Sequence, residues 1–269
     1  MAWLYTLIGL LTILIVVVIQ YFRGVKLRHS VWTIILALVF TLAMTKLYGI
    51  AYYQAWTFED DLKKEAPLFI LLEKTSPAAF QNYIDKAKRD IIYFHSKHLI
   101  AYTNEFVTSE IAKYEAKASD ESLYHETKRI IDYYNKIYQI DPLLVVYSEF
   151  PNQFANVVNL EQLDQLSDST AKQLYDSQKA IIQSALDSPQ PALSPEKFHQ
   201  AQIILSDIFQ TLIQRYGETV VKNSFENPQD PSLNRQVQAK ILMDFYQLLY
   251  KRGKEDTGLV LRAIASTSS

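Results

Sequence analysis

Residues 76–117 read SPAAFQNYIDKAKRDIIYFHSKHLIAYTNEFVTSEIAKYEAK. Apolar positions recur at Phe80, Ile84, Ala87, Ile91 and Phe94, pass through His98 and Tyr102, and continue at Phe106, Ile111 and Tyr114. Steps of three and four place these residues on one face of an α-helix, whereas a strand alternates in steps of two. Ser76 and Pro77 supply a start, with serine as N-cap and proline at the first helical position. The spacing predicts one long helix to about Lys117 and, with it, an all-α fold.

The same reading extends on both sides. Residues 57–74 are predicted helical, bent or restarted at Pro67. Ser119-Asp120-Glu121 opens a helix whose stripe is Leu123, Ile130, Ile131, Tyr134, Ile137 and Tyr138, and Asp141-Pro142 ends it. Residues 143–150 are apolar but too short for periodicity to separate helix from strand. Residues 160–186 are predicted helical, with a weak point at Ser167-Asp168-Ser169. Ser194-Pro195-Glu196 opens a helix closed by Gly217, and residues 220–227 carry no clear period. Residues 232–252 form a further predicted helix ended by Gly253, followed by a short one to about Ala265. The proline-rich segment at 188–195 marks the candidate subdomain boundary.

Ahead of this domain no acidic residue appears before Glu59. Two apolar runs, at about 3–22 and 31–53, are separated by a basic loop at 23–29. A bilayer core takes about 20 apolar residues in a helix, and both runs are long enough. Lys46 lies near the end of the second run, within snorkelling reach of an interface. Trp3, Trp32 and Trp56 fall at or near run ends, as in an aromatic belt. A cleaved signal peptide fits less well, because the N-terminal tail has no basic side chain and residues 20–23 are not small. Residues 1–56 are therefore predicted to form a transmembrane helical hairpin followed by an extracytoplasmic all-helical domain at 57–269. Arg23, Lys26 and Arg28 would hold the loop inside and both termini outside the cytoplasm. The localisation expected is a multi-pass protein of a bacterial inner membrane with a periplasmic domain. Ala37, Thr41 and Thr45 repeat at a spacing that allows close helix packing, against the first run with its Gly9 or in a homo-oligomer.

Charge and composition narrow the chemistry. The chain of 269 residues has 27 basic and 29 acidic residues. Without Arg23, Lys26, Arg28 and Lys46 the remaining domain has 23 basic against 29 acidic, a net of −6. No basic cluster follows a phosphate backbone, so nucleic acid is not an expected partner. Absence of cysteine excludes disulfides and thiolate chemistry. Only Gly217, Gly253 and Gly258 lie beyond the hairpin, so no glycine-rich phosphate loop exists there.

Candidate sites are few. His95 and His98, three apart, are the weak candidates for a metal pair. The plainer reading is that His98 is a core histidine on the apolar seam. His125-Glu126 reads as a pair on an exposed face, and His199 has Glu196 as its acidic neighbour. Glu59, Asp60, Asp61 and Glu65 form an acidic group that reads as a cation site or a docking surface just above the bilayer, or as helix N-terminal acids with i,i+4 partners in Lys63 and Lys64. Tyr133, Tyr134, Tyr138 and Tyr147 cluster around one helix end, and tyrosine is enriched at interfaces. No catalytic motif stands out, and no cofactor is expected.

The function expected is a non-enzymatic, membrane-anchored interaction module, acting as an adaptor, an assembly factor or a toxin-immunity inhibitor. The lipid bilayer and a protein partner are its expected contacts. The alternatives are a cytoplasm-facing regulatory domain and a helical metal-dependent hydrolase using His95 and His98.

Overall fold

A computed structural model of the chain describes residues 39, 49–93, 96–154, 157–159, 162 and 168–267. Among them are twelve helices and no strand, so the fold is all-α. They are α1 (Ile50–Glu65), α2 (Leu68–Thr75), α3 (Pro77–Ile92) and α4 (Ser96–Glu115), then α5 (Asp120–Ile140), α6 (Pro142–Glu149), α7 (Pro151–Phe154) and α8 (Asp168–Asp187). The last four are α9 (Pro195–Tyr216), α10 (Glu218–Glu226), α11 (Arg235–Lys251) and α12 (Lys254–Thr267). The chain divides into two compact units, one of residues up to 59 with 86–95, the other of 60–85 with 96–269.

The transmembrane spans, with Trp3, Arg23, Lys26, Arg28, Trp32, Lys46 and the Ala37–Thr41–Thr45 repeat, lie outside the described residues. Among the described residues no helix is long and apolar enough to cross a membrane. That finding corrects the expected multi-pass placement in an inner membrane with a periplasmic domain. The end of the second predicted run, from Ile50, belongs to α1, whose later half carries Glu59, Asp60, Asp61, Lys63, Lys64 and Glu65. Six charges within two turns suit an aqueous helix rather than a bilayer. Within the first unit Ala51 and Ala55 are buried one turn apart, Tyr52, Tyr53 and Trp56 are exposed, and Lys88 pairs with Glu59 at 3.0 Å.

The long predicted helix is two helices. α3 ends at Ile92, Tyr93 stands in a turn, and α4 begins at Ser96. Phase explains the break. Phe80, Tyr83, Ile84 and Ala87 are buried. Five further turns of a straight helix beyond Ala87 would bury position 105, yet Glu105 is exposed. The buried residues are instead Phe106, Val107, Glu110 and Ile111. The turn resets the stripe.

Several starts follow local chemistry. Ser119 accepts from Ser122 N–H, Asp141 from Leu143 N–H and Ser194 from Lys197 N–H. Each cap is worth about 1 kcal/mol. Asn234 accepts from Gln236 and Val237 N–H, so α11 starts later than Ser232. Ser232 instead donates its N–H and hydroxyl to Asp230. Pro67 restarts the chain between α1 and α2 as expected. Ser76 precedes α3, but its hydroxyl donates to Glu110 Oε2 at 2.5 Å rather than capping. Residues 143–150 resolve as helix, and residues 218–226, without a clear period, are α10.

Two apolar clusters of the second unit meet at α11. Ile241, Phe245 and Leu249 pack with Ile204, Ile208 and Leu212 of α9 and Leu259 and Val260 of α12. Ala239 and Leu242, on the other flank of α11, pack with Ile137, Leu144 and Tyr147. α12 also lies on α5, where Arg262 pairs with Asp120 at 3.1 Å. The approach is closest at Gly258: a Cβ there would stand 2.6 Å from Asp120 Cα.

Candidate functional site: an acidic, aromatic-walled pocket

Helices α4 and α5 both pack on α8 and α12, and a pocket of about 530 Å³ in the second unit is lined by all four. α4 contributes Asn104, Thr108, Ile111 and Glu115, one residue per turn. α5 contributes Glu126, Ile130, Tyr133 and Tyr134, also on one stripe. These are helical periods with polar residues set into them, which brings Glu115 and Glu126 into a shared cavity. Glu149 at the end of α6 is the third acid, and Gln178 of α8 presents a buried Oε1 with no hydrogen-bond partner. Among the described residues no Lys, Arg or His lines the pocket.

The rest of the wall is apolar and largely aromatic. Phe209 of α9 meets Phe225 of α10 at 5.2 Å between ring centroids and 72°. Phe225 meets Phe245 of α11 at 5.8 Å and 64°. Phe245 meets Tyr246 at 5.4 Å and 84°, and Tyr246 meets Tyr134 at 5.7 Å and 83°. These are edge-to-face pairs, each worth about 0.5–1.5 kcal/mol beyond the area they bury. They form a continuous chain of rings that ends on a carboxylate, because the Tyr134 and Tyr246 hydroxyls both donate to Glu149.

The three acids differ in their partners. Burial pushes the Glu149 carboxyl above its usual range, and the two tyrosine hydroxyls only partly offset it. The tyrosines are raised well above theirs, first by burial and then by the charge of Glu149. Glu115 is raised by burial. Glu126 is raised well above the carboxylate range by burial and then by the charge of Glu115. It is 6% exposed and has no hydrogen-bond or ion-pair partner among the described residues.

Most other buried polar side chains have partners, although Gln178 Oε1 and Tyr138 Oη are buried without one. Glu110, 2% exposed, accepts from Ser76 and from Lys113 Nζ at 2.5 Å. Ser122, Thr127, Ser177, Ser224 and Thr257 donate to backbone carbonyls. Thr170 accepts from Lys136, Gln238 is held by Arg235 and Pro228, and Arg262 pairs with Asp120. Buried polar groups are normally satisfied, and one that is not needs an explanation. Perturbed carboxylates in a cleft are candidate functional groups for the same reason.

The structure places the residues singled out from sequence as follows. Tyr134 and Tyr147 are buried, at 6% and 1% exposure, while Tyr133 and Tyr138 are half-buried. Tyr133 and Tyr134 line the pocket, whereas Tyr147 and Tyr138 pack in the core on α6 and α5. His95 and the side chain of His98 lie outside the described residues. No group of three metal-ligating side chains converges among the described residues. Trp56 is 76% exposed on α1, and Asp60, Asp61 and Glu65 are exposed there too. Lys63 bonds Glu73 at 2.8 Å across the Pro67 restart. His125 is exposed and pairs with Glu121 at 2.7 Å, and Glu121 also takes Lys254 at 2.8 Å.

The exposed reading of Glu126 is corrected. The signal was in the sequence: 123, 126, 130, 134 and 137 run in steps of three and four, so Glu126 is in phase with Leu123, Ile130 and Ile137. Glu115 and Glu149 had no comparable signal, because each sits at a helix end. No family model, curated protein or solved structure matches this chain.

Proposed function

We propose that this chain is a non-enzymatic binding module whose recognition site is the pocket of its second unit. A ligand, or a side chain offered by a protein partner, enters between α4 and α5 and meets Glu126 at the acidic end. The observation that carries this reading is the Glu126 side chain, 6% exposed and without a donor among the described residues, on the wall of that cavity. A solely structural site would place apolar or hydrogen-bonded groups there, because an unsatisfied buried group costs about 1–3 kcal/mol, and a charged one more. The adaptor, assembly-factor and inhibitor roles expected from sequence are all compatible with such a seat.

The test is native mass spectrometry of the protein purified from its source cells, beside a Leu205→Trp variant that fills the pocket. A stoichiometric added mass on the wild type, lost in the variant while its helical circular dichroism is kept, is the expected result. Identical masses for the two folded proteins would overturn the reading.

A second reading is favoured by one observation, the interaction of Glu115 with Glu126. Two acids whose titrations are pushed apart can serve as general acid and base. Glu115→Gln and Glu126→Gln would then each abolish turnover of a bound substrate without releasing it, whereas a binding module shows no turnover to lose.

A further inference from the structure

We infer that the pocket selects an organic ammonium ion with an apolar body, its cationic end at Glu126 and Glu115 and its apolar end among Phe209, Phe225 and Phe245. The inference rests on the pocket being a binding seat and goes beyond it by naming the ligand's chemistry.

Three observations converge. The acidic end lacks a counter-charge: no basic side chain among the described residues lines it, and Glu126 has no donor. A ligand that brings N–H donors and positive charge supplies both, and charge-assisted hydrogen bonds are about twice as strong as neutral ones. The adjoining wall is the edge-to-face ring chain from Phe209 to Tyr134. Ring faces attract cations, most strongly where water is excluded. The third observation removes the simplest competitor. A bound metal ion would need ligands that converge, and among the described residues no three His, Cys, Asp or Glu side chains do. Three carboxylates that do not converge, on the wall of a pocket of about 530 Å³, fit an organic cation with an apolar body better than a bare metal ion.

Gln178 extends the argument. Its Oε1 is a buried acceptor without a partner, and it lines the same cavity. The one buried atom without a partner among the described lining residues is an acceptor, so the partner it lacks is a donor. An anionic ligand would add charge to three acids, and a neutral hydrocarbon would leave them as they are.

The experiment is calorimetric titration of the whole chain at pH 8 with three isosteric probes: hexylamine, 1-hexanol and hexanoate. Hexylamine is expected to bind at least tenfold more tightly than hexanol, and hexanoate not at all. In Glu126→Gln, checked for unchanged helical content, the amine should weaken tenfold or more while hexanol is unaffected. Equal binding of hexylamine and hexanol, or an unchanged amine affinity in Glu126→Gln, overturns the inference and leaves the pocket standing as an apolar seat. If none of the three binds, the pocket reading falls with it.

Discussion

A carboxylate largely withdrawn from water and without a donor is held more easily as the acid, and Glu126, 6% exposed, is such a group. Its folded titration lies above the ordinary carboxylate value of 4.5, and those of Glu115 and Glu149 are shifted the same way. A raised folded pKa adds stability at and below the ordinary value and forfeits it as pH rises through the folded value. Exposed Glu121 and Asp230 behave oppositely. Lys254 and then His125 lower Glu121, and Ser232 lowers Asp230, so their contributions fade as pH falls below the ordinary range. The ligand-free protein is therefore expected to be most stable at mildly acidic pH and to weaken towards pH 8, as read by urea unfolding across that range. Facing Glu126 are Glu115 from α4, Glu149 from α6, Tyr133 and Tyr134 from α5, and Tyr246 from α11. None of these is a cation that would reverse the sign. Replacing Glu126 with Gln should flatten the alkaline decline and stabilise the empty protein at pH 8 by ~1–3 kcal/mol. A destabilised Glu126→Gln at pH 8 would mean that the carboxylate has a partner after all. Gly258 gives a second residue-scale expectation. By helix propensity alone Gly258→Ala should stabilise α12 by about 1 kcal/mol. The contact with Asp120 backbone argues the reverse, a loss of ~1–3 kcal/mol from overpacking. Thermal unfolding decides the sign.

Helices with a local start signal were legible, and helices defined by their surroundings were not. Ser119, Asp141 and Ser194 each carry a side-chain oxygen two or three residues ahead of the N–H it satisfies, so the cap lies within one short window of sequence. α10 has no such signal. It opens behind Gly217, which stands at φ 86° and ψ 145° between α9 and α10 without a side-chain cap. That backbone region is nearly closed to other residues. Nothing lies within 4 Å of a Cβ placed there, so Gly217→Ala isolates backbone strain from crowding. A loss of ~1–3 kcal/mol by denaturant unfolding is expected, and a neutral result would show that the junction relaxes. The break between α3 and α4 was hidden for another reason. Each stripe is well formed, and only which members are buried reveals that the two are out of phase. Even the misread Glu126 follows this pattern. Its neighbour His125 is solvated on the same helix, and one residue of rotation separates the face in water from the face in the cavity.

The pocket belongs to the scale of the whole unit, because eight helices contribute to its lining. No window of sequence contains it. The residues at 104–115 and at 126–134 carry recognisable stripes, but nothing local shows that these two stripes face a common space and α9 to α12 complete it. The arrangement also has a consequence in time. Asp120 waits for Arg262, about 140 residues downstream. Leu261 and Ile264 of the same helix close part of the wall. At 5–20 residues per second, a ribosome needs roughly 7–30 s to deliver α12 after α5 has emerged. Chains stalled with α12 still in the exit tunnel are expected to be cut by protease within residues 120–140, and released chains to resist. Equal resistance would show that α5 is secured without α12. During synthesis, then, the nascent chain has its acids before it has its enclosure, and the walls around them are complete only after translation has reached the last described helix.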